Sequence, residues 1–167
     1  HPAAHLQQHR TPPPSRLHSR SLIVLVLLLL FLLSRARFLR RLLGLKVCAD
    51  NPVSLAVYAA AGRDAERPIR VLIECDTGQK RAGVETPGEA VALAEMVRDD
   101  PALDFAGLLF YPPLDGWSAT QAFLDATRAG FADLGLVPEI VSTGGTPNLV
   151  NMDHLDGATE HRAGTCI

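Results

Sequence analysis

The chain has 167 residues, 47% of them hydrophobic, which is enough for one domain with its own core. Its net charge of −2 is unevenly divided, because residues 1–46 hold eight basic and no acidic residues, which leaves 8 − 18 = −10 for residues 47–167. The acidic part has no basic stripe, which argues against a nucleic-acid partner, and three cysteines without a CxxC pair (Cys48, Cys75 and Cys166) argue against a disulfide framework or a zinc site.

The first 45 residues differ in composition from the rest of the chain. Residues 1–21 are rich in proline, histidine and arginine and have no apolar period, so we expect disorder there. Leu22–Leu33 is a run of twelve apolar residues, shorter than the roughly 20 that a helix needs to cross a bilayer. A basic amphipathic stretch follows, and we predict one helix over residues 22–45.

Three interpretations of this segment remain open. It could be a signal anchor or membrane-surface helix, an element of the core, or a segment foreign to the domain that arises from a gene-model or reading-frame error. The bias towards leucine, arginine and proline and the lack of acidic residues favour the third. The expected location is therefore cytoplasmic, with membrane association through residues 22–43 as the alternative.

From Lys46 the chain alternates between strand and helix patterns. We predict strands at residues 46–50, 69–76, 103–113, 137–145 and from 158, helices at 52–62, 86–100 and 118–135, and a short helical turn at 146–157. Asn51 followed by Pro52, and Thr86 followed by Glu89, are typical of helix starts. A period of roughly 30 residues predicts an α/β fold with a parallel sheet, either doubly wound or a barrel.

Both of these folds place function at the carboxyl ends of the strands. Thr143, Gly144, Gly145 and Thr146 follow a predicted strand and precede a helical start, so their N–H groups could converge on an anion. No P-loop lysine and no GxGxxG motif accompany them. The turn is therefore either a phosphate cradle or simply a tight strand-to-helix connection.

Two further strand ends carry candidate ligand-binding side chains. Arg81, in "ECDTGQKRAGV", could donate to an acceptor that stays unprotonated, or it could pair at the surface with Asp76 or Glu74. Tyr111, in "FYPP", could lie against a planar ligand or at the rim of a site.

Four motifs in order, "VLIECDTGQKRAGV", "GLLFYPP", "EIVSTGGTPNL" and "ATEHRAGTCI", resemble the fold type III pyridoxal-phosphate enzymes of the alanine racemase type. Within that group the sequence is most similar to the relatives of D-threonine aldolase and D-serine dehydratase. The resemblance covers residues 46–167 and implies part of a (β/α)8 barrel, with the five strands as about the fourth to the eighth. It also implies pyridoxal 5′-phosphate as cofactor and a small amino acid as substrate, and a homodimer is possible for the full-length family.

The resemblance assigns roles to eight residues. Arg81 matches an arginine that approaches the pyridine nitrogen, and Tyr111 matches an aromatic residue at the edge of the cofactor. Thr143, Gly144, Gly145 and Thr146 match the phosphate loop, and Gly164 and Thr165 match backbone contacts after the last strand. Cys166 stands where many relatives have tyrosine.

The lysine that binds this cofactor covalently lies upstream of the matched region in the family, and neither Lys46 nor Lys80 is expected to replace it. We expect the C-terminal domain that holds a metal in such relatives to be absent as well, and we expect surface or capping roles for His154 and His161. We therefore expect a fragment of a D-amino-acid lyase without turnover of its own, with no catalytic residue and no metal ligand. The alternatives are a non-catalytic pyridoxal-phosphate-binding or degenerate remnant protein, or a sugar-phosphate barrel enzyme.

Overall fold

The structure, a computed structural model, describes residues 45–164. The predicted disorder at residues 1–21, nearly all of the predicted helix at 22–45, and the site residue Thr165 lie outside the described residues. Within residues 45–164, no helix has both the length and the apolar character needed to cross a membrane.

Five strands and three α-helices alternate along the described chain. The strands are β1 (Lys46–Ala49), β2 (Ile69–Cys75), β3 (Leu103–Phe110), β4 (Ile140–Gly144) and β5 (Glu160–Arg162). The helices are α1 (Pro52–Asp64), α2 (Pro87–Asp99) and α3 (Trp117–Asp133), and a 3₁₀ segment spans Thr146–His154 between β4 and β5. These bounds follow the sequence-based prediction, with the strands somewhat shorter than expected.

The predicted helix starts are present as hydrogen bonds. The Asn51 side chain accepts from the Ser54 amide at 2.9 Å and caps α1, which begins at Pro52. At α2 the Thr86 hydroxyl accepts from the Glu89 amide at 3.2 Å, and the Glu89 carboxylate accepts from the Thr86 amide at 3.0 Å. This reciprocal capping box satisfies two backbone donors that the helix cannot pair itself. The hydrogen bonds from Thr86 also lower the pKa of Glu89.

The order of the strands in the sheet decides between the two predicted folds. All neighbours are parallel, and the order β1-β2-β3-β4-β5 follows the chain without reversal. One hydrophobic cluster joins all three helices to the same face of the sheet, through strand residues such as Val71, Leu108 and Val141. A doubly wound sheet reverses its order and carries helices on both faces, so this arrangement is that of a barrel segment.

The opposite face of the sheet carries a much smaller apolar cluster. Leu72, Ala106, Leu109 and Ile140 form it, with Cys48 packed against them. This face corresponds to the interior of a barrel. At the amino end of the same sheet Arg70 pairs with Asp104 at 3.0 Å and also with Glu139.

Gly107 lets β3 and β4 come together. The β2–β3 register shifts by one residue between Val71 and Leu72, and Gly107 follows this bulge with φ of +142°. Gly107 pairs with Ile140, and a Cβ atom on Gly107 would lie 1.9 Å from the Ile140 carbonyl oxygen. Only glycine fits a close approach of this kind.

We predict that Gly107→Ala lowers the free energy of unfolding by about 2–4 kcal/mol, because the new methyl group displaces β4 and the backbone angle is strained. Urea unfolding followed by circular dichroism measures this change. Gly88→Ala in α2 is the matched control, since the added Cβ would meet no atom within 4 Å apart from its own chain neighbours and the backbone of its own helix, and it should be neutral or slightly stabilising. Equal stability of the two variants would contradict the role given to Gly107.

Candidate functional site

A cavity of about 410 Å³ lies at the carboxyl ends of β2, β3, β4 and β5. It is lined by Arg81, Tyr111, Gly145, Thr146, Pro147, Arg162, Ala163 and Gly164. Five of the eight residues proposed from sequence therefore surround one space, although they come from four separate motifs. A depression of about 530 Å³ at the amino ends of the strands holds none of them.

The loop after β2 positions Arg81 over Tyr111. The Asp76 carboxylate accepts from the amides of Gly78 and Gln79, both at 2.8 Å, and so anchors the beginning of this loop. The Arg81 guanidinium carbon lies 4.6 Å from the centroid of the Tyr111 ring, which is the geometry of a cation–π contact. The expected alternative, pairing with Asp76 or Glu74, does not occur among the described residues, whose ion pairs do not include Arg81.

Gly145 closes the other side of the cavity against the same ring. Its φ is +107°, and a Cβ atom there would lie 3.1 Å from three atoms of Tyr111. The absence of a side chain is thus what lets the turn approach the aromatic ring.

The Gly145 amide has a different use from the one expected. It donates to the Arg162 carbonyl at 3.0 Å, so it continues the pairing of β4 with β5 and does not point at an anion. Of the turn residues, Gly145 and Thr146 still line the cavity, while Thr143 and Gly144 do not.

Arg162 is the charged cavity residue that the sequence interpretation missed, along with the lining residues Pro147 and Ala163. Its Nε donates to the Ser142 hydroxyl at 2.9 Å, and Nη2 donates to the Phe110 carbonyl at 2.7 Å, so the guanidinium extends from β5 across β4 to β3. A Cβ atom on Gly144 would lie 2.8 Å from Nη2, so that glycine makes room for the guanidinium. A signal was present in the sequence, because Arg162 lies two residues before Gly164 and strand alternation puts both on one face.

Thr143 lies behind the cavity and contacts a histidine. Thr143 is fully buried, and its hydroxyl lies 2.8 Å from Nδ1 of His161, while Nε2 of His161 lies 3.1 Å from the Gly145 carbonyl oxygen. His161, for which a surface or capping role was expected, is half-buried, and its ring contacts the Gly145 carbonyl and Thr143 across the β4–β5 ladder. His154 is exposed and makes an edge contact with Trp117, 5.8 Å between ring centroids.

The charges around the cavity favour an anion. Two guanidinium groups line it, and no carboxylate belongs to the lining residues that the structure describes.

The two lysines of the chain do not line the cavity. Lys46 begins β1 at the opposite end of the sheet, and Lys80 pairs with Glu85 at 2.7 Å, a hydrogen bond that raises the pKa of the Lys80 ammonium. Residues 45–164 contain no group of three His, Cys, Asp or Glu side chains that could hold a metal ion.

Comparison with known proteins agrees with the resemblance in sequence. Residues 16–167 match the family described as "Alanine racemase, N-terminal domain", so the match starts upstream of Lys46. The chain is 41% identical over 73 residues to D-threonine aldolase of Arthrobacter sp., which covers 44% of this chain and 19% of that protein. It is 32% identical over 140 residues to D-threo-3-hydroxyaspartate dehydratase of Delftia sp. (strain HT23), a match that covers 77% of this chain and 37% of that protein.

The fold is similar to that of a solved relative. The structure of D-threonine aldolase from Filomicrobium marinum matches with a TM-score of 0.65 and 28% identity, over 71% of this chain and 35% of that one. The chain thus spans well under half the length of these relatives. The matched family, the parallel sheet and the solved structure together confirm the predicted relationship, and the chain belongs to the alanine racemase N-terminal domain family.

Proposed function

We propose that the cavity at the carboxyl ends of the strands binds pyridoxal 5′-phosphate, in part of an enzyme that acts on β-hydroxy-D-amino acids. The relatives of this family are pyridoxal-phosphate enzymes. The observation that carries the proposal is the meeting of Arg81, Tyr111, Gly145 and Gly164 around one cavity, because these residues come from the four motifs of the resemblance.

The residues present fit such a cofactor. Tyr111 supplies an aromatic ring at the cavity against which a planar ligand can lie, and the turn reaches this ring because Gly145 has no side chain. Thr146 and Gly164 also line the cavity, and we assign both to the phosphate, as the sequence resemblance implies. A phosphate monoester carries about −1.5 to −2 charges near pH 7, which matches two guanidinium groups without a carboxylate among the described lining residues.

The two arginines differ in how firmly they are held. Arg162 donates two hydrogen bonds to the sheet, so its charge is fixed in direction. Arg81 is exposed and rests on the Tyr111 ring. A guanidinium does not release its proton, so whichever of them faces the ring nitrogen keeps that nitrogen unprotonated. The sequence resemblance assigns this role to Arg81.

When bound to the amino group of a substrate, pyridoxal phosphate draws electrons away from the bonds at Cα. The relatives named above act on D-threonine and on D-threo-3-hydroxyaspartate, which are both β-hydroxy-D-amino acids. The proposed substrate class of the whole protein follows from these two names. This chain's own contribution is to bind the cofactor, with charge from Arg81 and Arg162 and a flat wall from Tyr111.

We predict that the purified chain binds pyridoxal phosphate and that Arg81→Gln weakens this binding about tenfold, because a charge-assisted hydrogen bond is lost. Isothermal titration calorimetry with pyridoxal phosphate measures the affinity. Arg98→Gln is the matched control, since this exposed arginine lies in α2 and does not line the cavity. No detectable binding by the parent chain, or equal loss in the two variants, would remove the support for the site.

We also predict that the chain alone releases no acetaldehyde from D-threonine in the presence of pyridoxal phosphate. Neither of its lysines lines the cavity, and the raised pKa of Lys80 keeps that amine protonated and poorly nucleophilic. A coupled assay for acetaldehyde tests this, together with borohydride reduction and peptide mapping. Turnover accompanied by a reduced cofactor adduct on Lys46 or Lys80 would show the prediction to be wrong.

A further inference from the structure

The backbone of Gly145 is held on both sides by β5. Its N–H donates to the Arg162 carbonyl at 3.0 Å, and its carbonyl oxygen accepts from the Asn148 amide at 3.0 Å and lies 3.1 Å from Nε2 of His161. The turn that lines the cavity is thus attached to the last described strand through two consecutive residues, His161 and Arg162.

The hydrogen bonds fix the tautomer of His161. A carbonyl oxygen can only accept, so Nε2 must carry the proton that it donates to Gly145. In the ring with one proton, Nδ1 is then the acceptor, and the Thr143 hydroxyl, 2.8 Å away, donates to it in preference to the Glu160 carbonyl oxygen at 3.4 Å. Thr143 is fully buried and pairs in register with His161, so the donor to Nδ1 is itself held in place by the β4–β5 ladder.

These successive hydrogen bonds set the orientation of the Gly145–Thr146 peptide. In a trans peptide the C=O and the following N–H point in opposite directions. Holding the Gly145 carbonyl towards His161 and Asn148 therefore also fixes the direction of the Thr146 N–H. Gly145 has φ of +107° and no side chain, so without these contacts its peptide planes would rotate easily.

We propose that His161 is a positioning residue for the phosphate end of the cavity. Thr143 orients the imidazole, the imidazole fixes the Gly145 carbonyl, and the peptide that follows is presented to the ligand in one orientation. This inference rests on the proposed function, since it assigns the phosphate group to the Gly145–Thr146 side of the cavity. His161 acts through Gly145 and does not itself line the cavity.

The test compares the affinity of the purified chain for pyridoxal phosphate with its affinity for pyridoxal, which lacks the phosphate. His161→Leu should lower the preference for the phosphorylated ligand about tenfold and leave the affinity for pyridoxal unchanged. Thr143→Val should act in the same direction. His161→Gln, which keeps a donor near the position of Nε2, and Thr143→Ser, which keeps the hydroxyl, should retain the preference. His154→Leu, outside the cavity, is the matched control.

A general loss of structure would reduce both affinities alike, and an unchanged preference in folded His161→Leu would overturn the inference. A second measurement does not need the cofactor. Long-range ¹H–¹⁵N spectra should show the Nε2–H tautomer of His161, and hydrogen exchange at the Gly145 and Asn148 amides should speed up in His161→Leu but not in His154→Leu.

The two measurements separate the two proposals. If the parent chain binds pyridoxal phosphate no better than pyridoxal, the phosphate assignment is wrong. Both the proposed cofactor and the role of His161 towards the phosphate then fail. Exchange rates that do not change in His161→Leu refute the positioning role alone, whatever the chain binds.

Discussion

The Arg162 guanidinium holds three strands together at the edge of the sheet where the cavity lies. It extends from β5, donates to Ser142 on β4 and to Phe110 at the end of β3, and occupies the space that a side chain on Gly144 would need. The Arg162 carbonyl also accepts from Gly145. One residue therefore fixes the distance between the aromatic side of the cavity and its glycine turn, and the proposed ligand site depends on that distance.

The site combines a rigid part with a less constrained part. The turn after β4 is attached to β5 through the two peptides that flank Gly145, one bonded to the Arg162 carbonyl and the other contacted by His161. Arg81, in contrast, lies on an exposed loop and contacts the site through the Tyr111 ring. A pre-oriented turn loses little conformational entropy when it binds a phosphate, whereas the exposed Arg81 side chain must be ordered when the ligand binds.

Local features of the fold could be predicted from sequence, and long-range ones could not. The capping box of Thr86 and Glu89 involves residues only three positions apart, so a short stretch of sequence is enough to predict its hydrogen bonds. The strand order depends on which strands pair, and a strand–helix period alone is compatible with two folds. The hydrogen bond from the Gly145 amide to the Arg162 carbonyl depends on the β4–β5 register, and no local sequence pattern determines that register. For the same reason, the contact of His161 with Thr143 could not be predicted, because Thr143 lies across the ladder.

In the proposed site, one ligand spans the space between the Gly145 turn and the arginines. A crystal structure of the chain soaked with pyridoxal phosphate tests it most directly. We expect the phosphorus atom beside the Gly145–Thr146 peptide and the pyridine ring against Tyr111, with a guanidinium at the ring nitrogen. A phosphate bound at the amino ends of the strands, or a ring that lies away from Tyr111, would contradict it.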